Sequence, residues 1–369
     1  MVSADTVLGR MELARRSVGN GFGAWVAPLA TGAGWWTLQG ANAVGGTLDR
    51  WRYPQLAELP IEQPVLLVGM PRSGTTFLHR FLVENGVGVG QQLWQMLLPS
   101  PSLQQVVRPA LPLLGGINPA RFHDPAIHKT GLTEVETDDV SLLFRHFDGF
   151  FLYAFALAHA VQDLKALVDP ALRDESARDF DTWEQQWRRT LVATGGERIV
   201  AKLFSAVARL PAVMERFPDA RVVLMVRDPA ETIPSTLSLV TTTLDAKFGF
   251  WSLPKEVRDR TLARLTDALV SLQDRLVADW QSGAVDTDAV HVVTYPELVG
   301  DFDRTARSLL EFLGHPVSPA LDAAIRDVAD RQRTRKSGHR YDLARFGLDP
   351  HLIEQRSASV RALFLQRAP

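Results

Sequence analysis

The 369-residue sequence contains no cysteine, which excludes disulfide frameworks, thiol nucleophiles and cysteine-based zinc sites together and leaves the redox compartment open. Lysine is scarce. Of 40 basic residues only six are lysines (129, 165, 202, 247, 255 and 336), so a lysine at a strand end carries weight. An excess of charge of either sign is missing too: 40 basic against 42 acidic residues leave a net charge of -2, which argues against a chain that wraps nucleic acid. Long apolar runs are absent. The longest, Gly149 to Val161, has 13 residues, against the ~20 that a spanning helix needs, and reads as a buried core helix. With 46% hydrophobic and 22% charged residues, the composition is that of a globular chain rather than a disordered, collagenous or multi-span membrane one.

The N-terminal stretch carries no charge between Arg16 and Asp49. Arg15-Arg16, the soft apolar segment Gly21 to Leu38 and the small residues Ala41-Asn42-Ala43 have the outline of a twin-arginine export signal. Gly21, Gly23, Pro28, Gly32 and Gly34, three tryptophans (Trp25, Trp35, Trp36) and the acidic Asp5 and Glu12 weigh against it. The expectation is a cytoplasmic protein whose residues 1–58 form a Gly/Trp-rich arm, packed on the body or lining an entrance, ahead of a single domain over 59–369. Beyond the arm, brief aliphatic runs alternate with helical patterns, as in parallel α/β architecture. Strands are expected at Val65–Val68, Arg198–Ala201, Arg221–Val226 and Val290–Thr294, all without strict alternation, as suits strands covered on both faces. Leu262, Leu265, Leu269, Leu272, Leu276 and Trp280 stripe one helix, and Gln92 to Pro125 reads as an irregular insertion.

The strongest local signal follows the first strand. Val65 to Gly69 leads into Met70-Pro71-Arg72-Ser73-Gly74, and a helix begins near Thr75 with Phe77, Leu78, Phe81 and Leu82 on one face. Strand, glycine loop and helix N-terminus make an anion site, because backbone N–H groups converge where the helix dipole is positive. Gly74 permits close approach of a phosphate, and the Thr75 and Thr76 hydroxyls can donate to it and cap the helix. Gly69-x4-Gly74 has the spacing of a nucleoside-triphosphate loop, but Thr75 stands where that motif requires lysine, and the positive charge has moved to Arg72. A second anion-binding pattern starts where the third strand ends in Arg227, with Ser235 eight positions on. An arginine there points into the crevice in which α/β proteins bind ligands, and its forked donors suit phosphate oxygens. A local Arg-Asp salt bridge is the plainer alternative.

The segment Pro71-Arg72-Ser73-Gly74-Thr75-Thr76 resembles the 5′-phosphosulfate loop of the sulfotransferase family that uses 3′-phosphoadenosine-5′-phosphosulfate (PAPS). The resemblance implies a P-loop-type α/β fold with a central, mostly parallel sheet flanked by helices. It makes Arg227-Asp228-Pro229 and Ser235 the 3′-phosphate site and Tyr295 the residue beside the adenine. Arg335 and Lys336, in the cluster Arg331, Arg333, Arg335, Lys336 and Arg340, become contacts of a lid over the 3′-phosphate, although Ser337 stands where the family has glycine. His339-Arg340-Tyr341 and Phe346-Gly347-Leu348 are similar to a C-terminal pattern of bacterial members. By the same resemblance Lys202, closing the second strand, supports the sulfuryl and leaving oxygens. The histidine that many members carry shortly after that lysine is missing here, where Leu203, Phe204, Ser205 and Ala206 follow. The base is then sought in the acidic patch Glu134, Glu136, Asp138 and Asp139, with Asp138 and Glu136 ahead of His128; a solvated helix N-terminus is the bland account of that patch. His123 and His128 are five apart, so no metal pair is supported and no metal is expected. The implied function is sulfuryl transfer from PAPS to a hydroxyl of a small-molecule or lipid acceptor, for which Phe147, Phe150, Phe151, Tyr153 and Phe155 offer apolar surface. The alternatives are a P-loop kinase of a small alcohol and a nucleotide-binding module without catalysis.

Overall fold

The brief aliphatic runs pair in parallel because the segments between them are long enough to carry the chain back across the sheet. The computed structural model describes residues 3–114, 131–333 and 343–366. Its strands are β1 (Val65–Gly69), β2 (Val200–Lys202), β3 (Arg221–Val226) and β4 (Val290–Thr294). Among the described residues they form one four-stranded sheet in the order β2-β1-β3-β4, with every neighbouring pair parallel. The α/β class with a parallel sheet is therefore the one expected. β3 and β4 have the expected bounds. The second strand is shifted: Arg198 and Ile199 precede it, and pairing of Leu67 with Lys202 makes the lysine its last residue.

The chain divides into two compact units, one of Glu62–Val89, Arg198–Thr236 and Leu269–Pro369 and the other of Met1–Ile61, Gly90–Glu197 and Leu237–Ala268. The sheet belongs to the former. Val65 to Val68 are fully buried, as strands covered on both faces must be. Leu67 and Phe81 share a core with Phe302, Leu309 and Ile325, and Phe81 meets Phe302 edge to face at 4.9 Å.

The other unit is helical, and here the expectations need correction. The Gly/Trp-rich segment folds as two helices, α1 (Val7–Phe22) and α2 (Val26–Arg52). Glycine lowers helix propensity by ~1 kcal/mol per residue, but tertiary packing overrides it. A Cβ on Gly45 would lie 2.6 Å from the Ser100 Cβ, so glycine there lets the next helix approach. Nor is the segment after Gln92 irregular up to residue 114: it winds into Leu93–Leu97, Pro101–Val107, a 3₁₀ turn at Arg108–Ala110 and Leu111–Leu114. Pro101 starts its helix behind a Ser100 cap instead of breaking one, because the first helical N–H needs no partner. The apolar run from Gly149 is a short helix, Phe150–Leu152, continued by a wider π turn at Tyr153–Leu157, and Leu152, Tyr153 and Leu157 are buried. The leucine-striped helix spans Lys255–Gln281 and buries its leucines. No single described helix is long and apolar enough to cross a membrane; one pair, Val140–His146 with Phe150–Leu157, has the length together but is bent by 88°.

An ion cluster anchors this unit. The Asp148 carboxylate, with its side chain fully buried, lies 2.6 Å from Arg173, 2.9 Å from Arg178 and 3.9 Å from Arg10. Burial pushes its pKa up, but the three guanidinium groups and the Gly149 N–H outweigh burial and hold it below the ordinary aspartate value. Arg10 also donates to the carbonyls of Phe147 and His146, each at 2.8 Å, which ties α1 to the chain around Asp148. Removing one member strands buried charge of one sign. Asp148→Asn is expected to lower the unfolding free energy by about 3–5 kcal/mol in chemical denaturation, because the buried Arg10 loses its ion-pair partner and Arg173 and Arg178 lose one of theirs.

Candidate functional site

Parallel strands end on one edge of a sheet, and the order β2-β1-β3-β4 sends the chain in opposite directions from β1 and from β3. The loops after those strands then part at the point where α/β folds bind ligands. The first loop is tight. A Cβ on Gly69 would lie 2.5 Å from the Met225 carbonyl oxygen of β3, so only glycine fits there. Arg72 sits at φ 72 and Gly74 at φ 98. The left-handed region is costly for arginine, and such residues gather at ligand sites where surrounding structure holds them. Helix α3 (Thr75–Glu84) starts directly behind, with Gly74 as its N-cap and no side-chain cap. Its first N–H groups therefore lack an intrahelical partner and face the loop. The threonines do not cap the helix as expected; Thr75 is its first residue. The Ser73 hydroxyl is wholly buried and has no hydrogen-bond partner, a state that a bound oxyanion would relieve.

The expected donor-site residues converge in this unit. Arg72 Nε donates to the Ser235 hydroxyl at 3.0 Å, linking the first loop to the helix Pro229–Phe248, within which Ser235 lies. Arg227 Nη1 donates to the Arg72 carbonyl at 3.1 Å, and its guanidinium lies 4.0 Å over the Tyr295 ring. Arg227 Nε also pairs with Glu231 at 2.8 Å, a partner that i, i+4 spacing could have revealed. Lys202, buried at the end of β2, donates to the Thr76 hydroxyl at 3.0 Å. Arg72, Ser73, Gly74, Thr75, Thr76, Lys202, Arg227, Ser235 and Tyr295 thus all belong to the strand ends of one sheet and the helices that follow them. Arg335, Lys336, Arg340 and the His339–Tyr341 pattern lie outside the described residues, as do His123 and His128.

The acidic patch belongs to the other unit. Glu136 and Asp138 are buried, so the patch is not a solvated face. Asp138 accepts from the Trp187 indole N–H at 3.0 Å. Asp139 is the N-cap residue of Val140–His146 and accepts from the Thr137 hydroxyl at 2.9 Å.

His79 escaped the sequence reading, although it follows Thr75 by one helical turn. It is wholly buried on α3, and its Nε2 is 2.8 Å from the Val200 carbonyl oxygen. A carbonyl only accepts, so Nε2 carries the proton, and Nδ1 is left without a partner. Burial and then the Lys202 charge push its pKa down from 6.5 to about 3. A neutral ring therefore pins the phosphate-loop helix to the strand that ends in Lys202.

A glycine turn ahead of a helix N-terminus at the reversal of strand order, with two arginines at adjacent strand ends, defines a P-loop-type α/β protein. The model of the Sulfotransferase family matches residues 64–319, more than half of the chain, and the protein belongs to that family: it is a sulfotransferase. The omega-hydroxy-beta-dihydromenaquinone-9 sulfotransferase Stf3 of Mycobacterium bovis is 23% identical over 322 residues, 79% of each chain, and the Mycobacterium tuberculosis protein of that name matches equally. Among solved structures, sulfotransferase STF1 from Mycobacterium tuberculosis superposes with a TM-score of 0.72 at 20% identity, covering 95% of this chain and 91% of the other. Sulfotransferase STF9 from Mycobacterium avium gives 0.67 at 16% identity, with 86% and 81% covered. Both likenesses are of fold.

The buried histidine has a measurable consequence. Between pH 3 and 6.5 the unfolded chain binds a proton at His79 that the native state lacks, so stability falls as pH falls through that window. Urea unfolding from pH 4 to 6.5 should show a slope up to about 1.4 kcal/mol per pH unit smaller in His79→Gln than in the wild type, the glutamine amide keeping a donor for Val200.

Proposed function

We infer that the chain transfers a sulfuryl group from PAPS to the hydroxyl of an apolar, lipid-like acceptor and releases 3′-phosphoadenosine 5′-phosphate. The observation that carries this reading is the continuous set of donors from the Arg72 loop through Ser235 to Arg227 over Tyr295, at the reversal of strand order. The residues present fit a donor charged at both ends of an adenosine. The loop has an orphaned buried hydroxyl and open helix amides, and the second arginine already stacks on an aromatic ring. When bound, PAPS supplies the activated sulfuryl group. Arg72, Ser73, Thr75, Thr76 and the α3 amides would hold its phosphosulfate end, Arg227 and Ser235 its 3′-phosphate, and Tyr295 its adenine, with Arg335 and Lys336 closing over it. Preorganised donors of this kind stabilise charge that develops during transfer, and the Lys202 ammonium adds a cation held in place by Thr76.

The acceptor class rests on the curated relative, which is named for an omega-hydroxylated dihydromenaquinone. The base that takes the acceptor proton is drawn from Glu136 and Asp138. The reading also takes residues 59–369 as the catalytic domain, residues 1–58 as an accessory arm, and the enzyme as cytoplasmic, acting without a metal. A kinase would need a lysine to clamp β- and γ-phosphates, and Thr75 occupies that position.

Calorimetry should show 3′-phosphoadenosine 5′-phosphate binding without Mg²⁺ and outcompeting ATP; tighter binding of ATP with Mg²⁺ overturns the donor. Arg72→Ala and Arg227→Ala should each weaken that binding by about 1.5–3 kcal/mol, roughly ten- to 150-fold, as expected for hydrogen bonds to a charged group. Lys202→Ala should lower kcat by about 10²–10³. Asp138→Asn or Glu136→Gln should lower kcat by about 10²–10⁴ with donor binding intact, and full turnover in both would remove the two carboxylates as bases.

A further inference from the structure

Helix α2 is built inside out. Gln39, Asn42 and Asp49 turn inward. Gln39 Nε2 donates to the Phe144 carbonyl at 2.6 Å and Asn42 Nδ2 to the Leu97 carbonyl at 2.9 Å. Asp49, only 1% exposed, accepts from the Ser100 hydroxyl and the Ser102 amide. Trp35 is buried, but six other apolar side chains point to solvent: Val26 is 77% exposed, Leu29 59%, Trp36 51%, Val44 60%, Leu48 45% and Trp51 84%. At 100° per residue these six fall on one continuous face, with Trp25 at its N-terminal end. A surface helix of an ordinary water-soluble domain shows the opposite arrangement, and a contiguous apolar patch of this kind marks an interaction site.

Three features choose the occupant. The exposed Thr37 and Thr47 hydroxyls donate to the Ala33 and Ala43 carbonyls of their own helix, each at 3.0 Å, so they ask no hydrogen bond of what covers them. Protein interfaces carry about one hydrogen bond per 100–200 Å², whereas hydrocarbon offers none. Trp25, Trp36 and Trp51 stand at the start, middle and end of the face, and tryptophan favours the boundary between headgroups and acyl chains. Last, the only acid of the helix is buried, and the charges left outward are Arg50 and Arg52, which suit an anionic surface.

We propose that the outer face of α2 is a docking surface for an anionic lipid bilayer, on which the helix lies flat while its inner face stays fixed to the protein. This deepens the acceptor reading above and rests on its lipid part: an enzyme resting on the bilayer meets an apolar alcohol where that alcohol is dissolved.

The test compares the full chain with the quadruple variant Leu29→Gln, Trp36→Gln, Val44→Gln, Trp51→Gln. Sedimentation with vesicles of phosphatidylcholine and phosphatidylglycerol (3:1) and of phosphatidylcholine alone is read beside light-scattering mass without lipid, and turnover on a short water-soluble alcohol checks that both proteins are folded and active. The expected result is a monomer that binds the mixed vesicles at least tenfold more tightly than the variant does, and more tightly than neutral vesicles, with equal turnover of the soluble alcohol. The proposal is overturned if the wild type stays in the supernatant, if the variant sediments equally, or if the wild type is a dimer that the variant splits, since a second copy would then cover the face. Loss of vesicle binding preference with soluble turnover intact refutes the docking surface alone; absence of turnover on any alcohol in both proteins refutes the function.

Discussion

The reversal of strand order between β1 and β3 is the constraint on which the site depends. β1 has β2 on one side and β3 on the other, so the chain leaves the two strands in opposite directions and the space above them stays open. Into it come the Arg72 loop from one side and Arg227 from the other. The register brings Gly69 opposite Met225, close enough that the loop tolerates no side chain at its first position. Arg72 then takes a left-handed backbone that costs of order 1–3 kcal/mol. That cost is offset by contacts of the same residue: its carbonyl accepts from Arg227 and its guanidinium donates to Ser235. Under the proposed function, the strained residue and its supports are the groups that meet a donor's phosphates.

Charge is handled differently in the two units. Beside the sheet, cations line the strand ends: Lys202 rests against Thr76, and Arg227 is shared between Glu231, a carbonyl and an aromatic ring. His79 stays neutral there because burial and Lys202 both disfavour a second positive charge. In the helical unit one group of cations turns inward. Arg10, Arg173 and Arg178 surround one carboxylate, and Gln39, Asn42 and Asp49 of α2 turn inward, which leaves an apolar side outermost.

Much of the sheet and its first loop was legible in the chain. A strand, a glycine turn and a helix start have local signatures, and a parallel strand buried on both faces is aliphatic without alternation, so β1, β3 and β4 stood out. Lys202 was legible through scarcity. The shift of β2 was not, because strand ends are set by pairing with Leu67 rather than by the residues of the strand. The helices α1 and α2 were hidden by their glycines, some of which serve close approach. Pro101 lies in the segment expected to be irregular and starts a helix there. His79 was invisible, since a lone histidine on an apolar helix face has no local mark of its partner 121 positions away.

By itself the sequence determined the α/β class and the strand, glycine turn and helix start around Arg72, because these depend on neighbouring residues and on periodicities of two and 3.6. Only the tertiary structure decided that Ser235 bonds to Arg72, that Asp138 is buried against Trp187, and that α2 shows an apolar side to solvent. A one-dimensional pattern records how polar a residue is and how often that polarity recurs. Which way the polar side faces depends on partners distant in sequence, and folding alone brings them into contact.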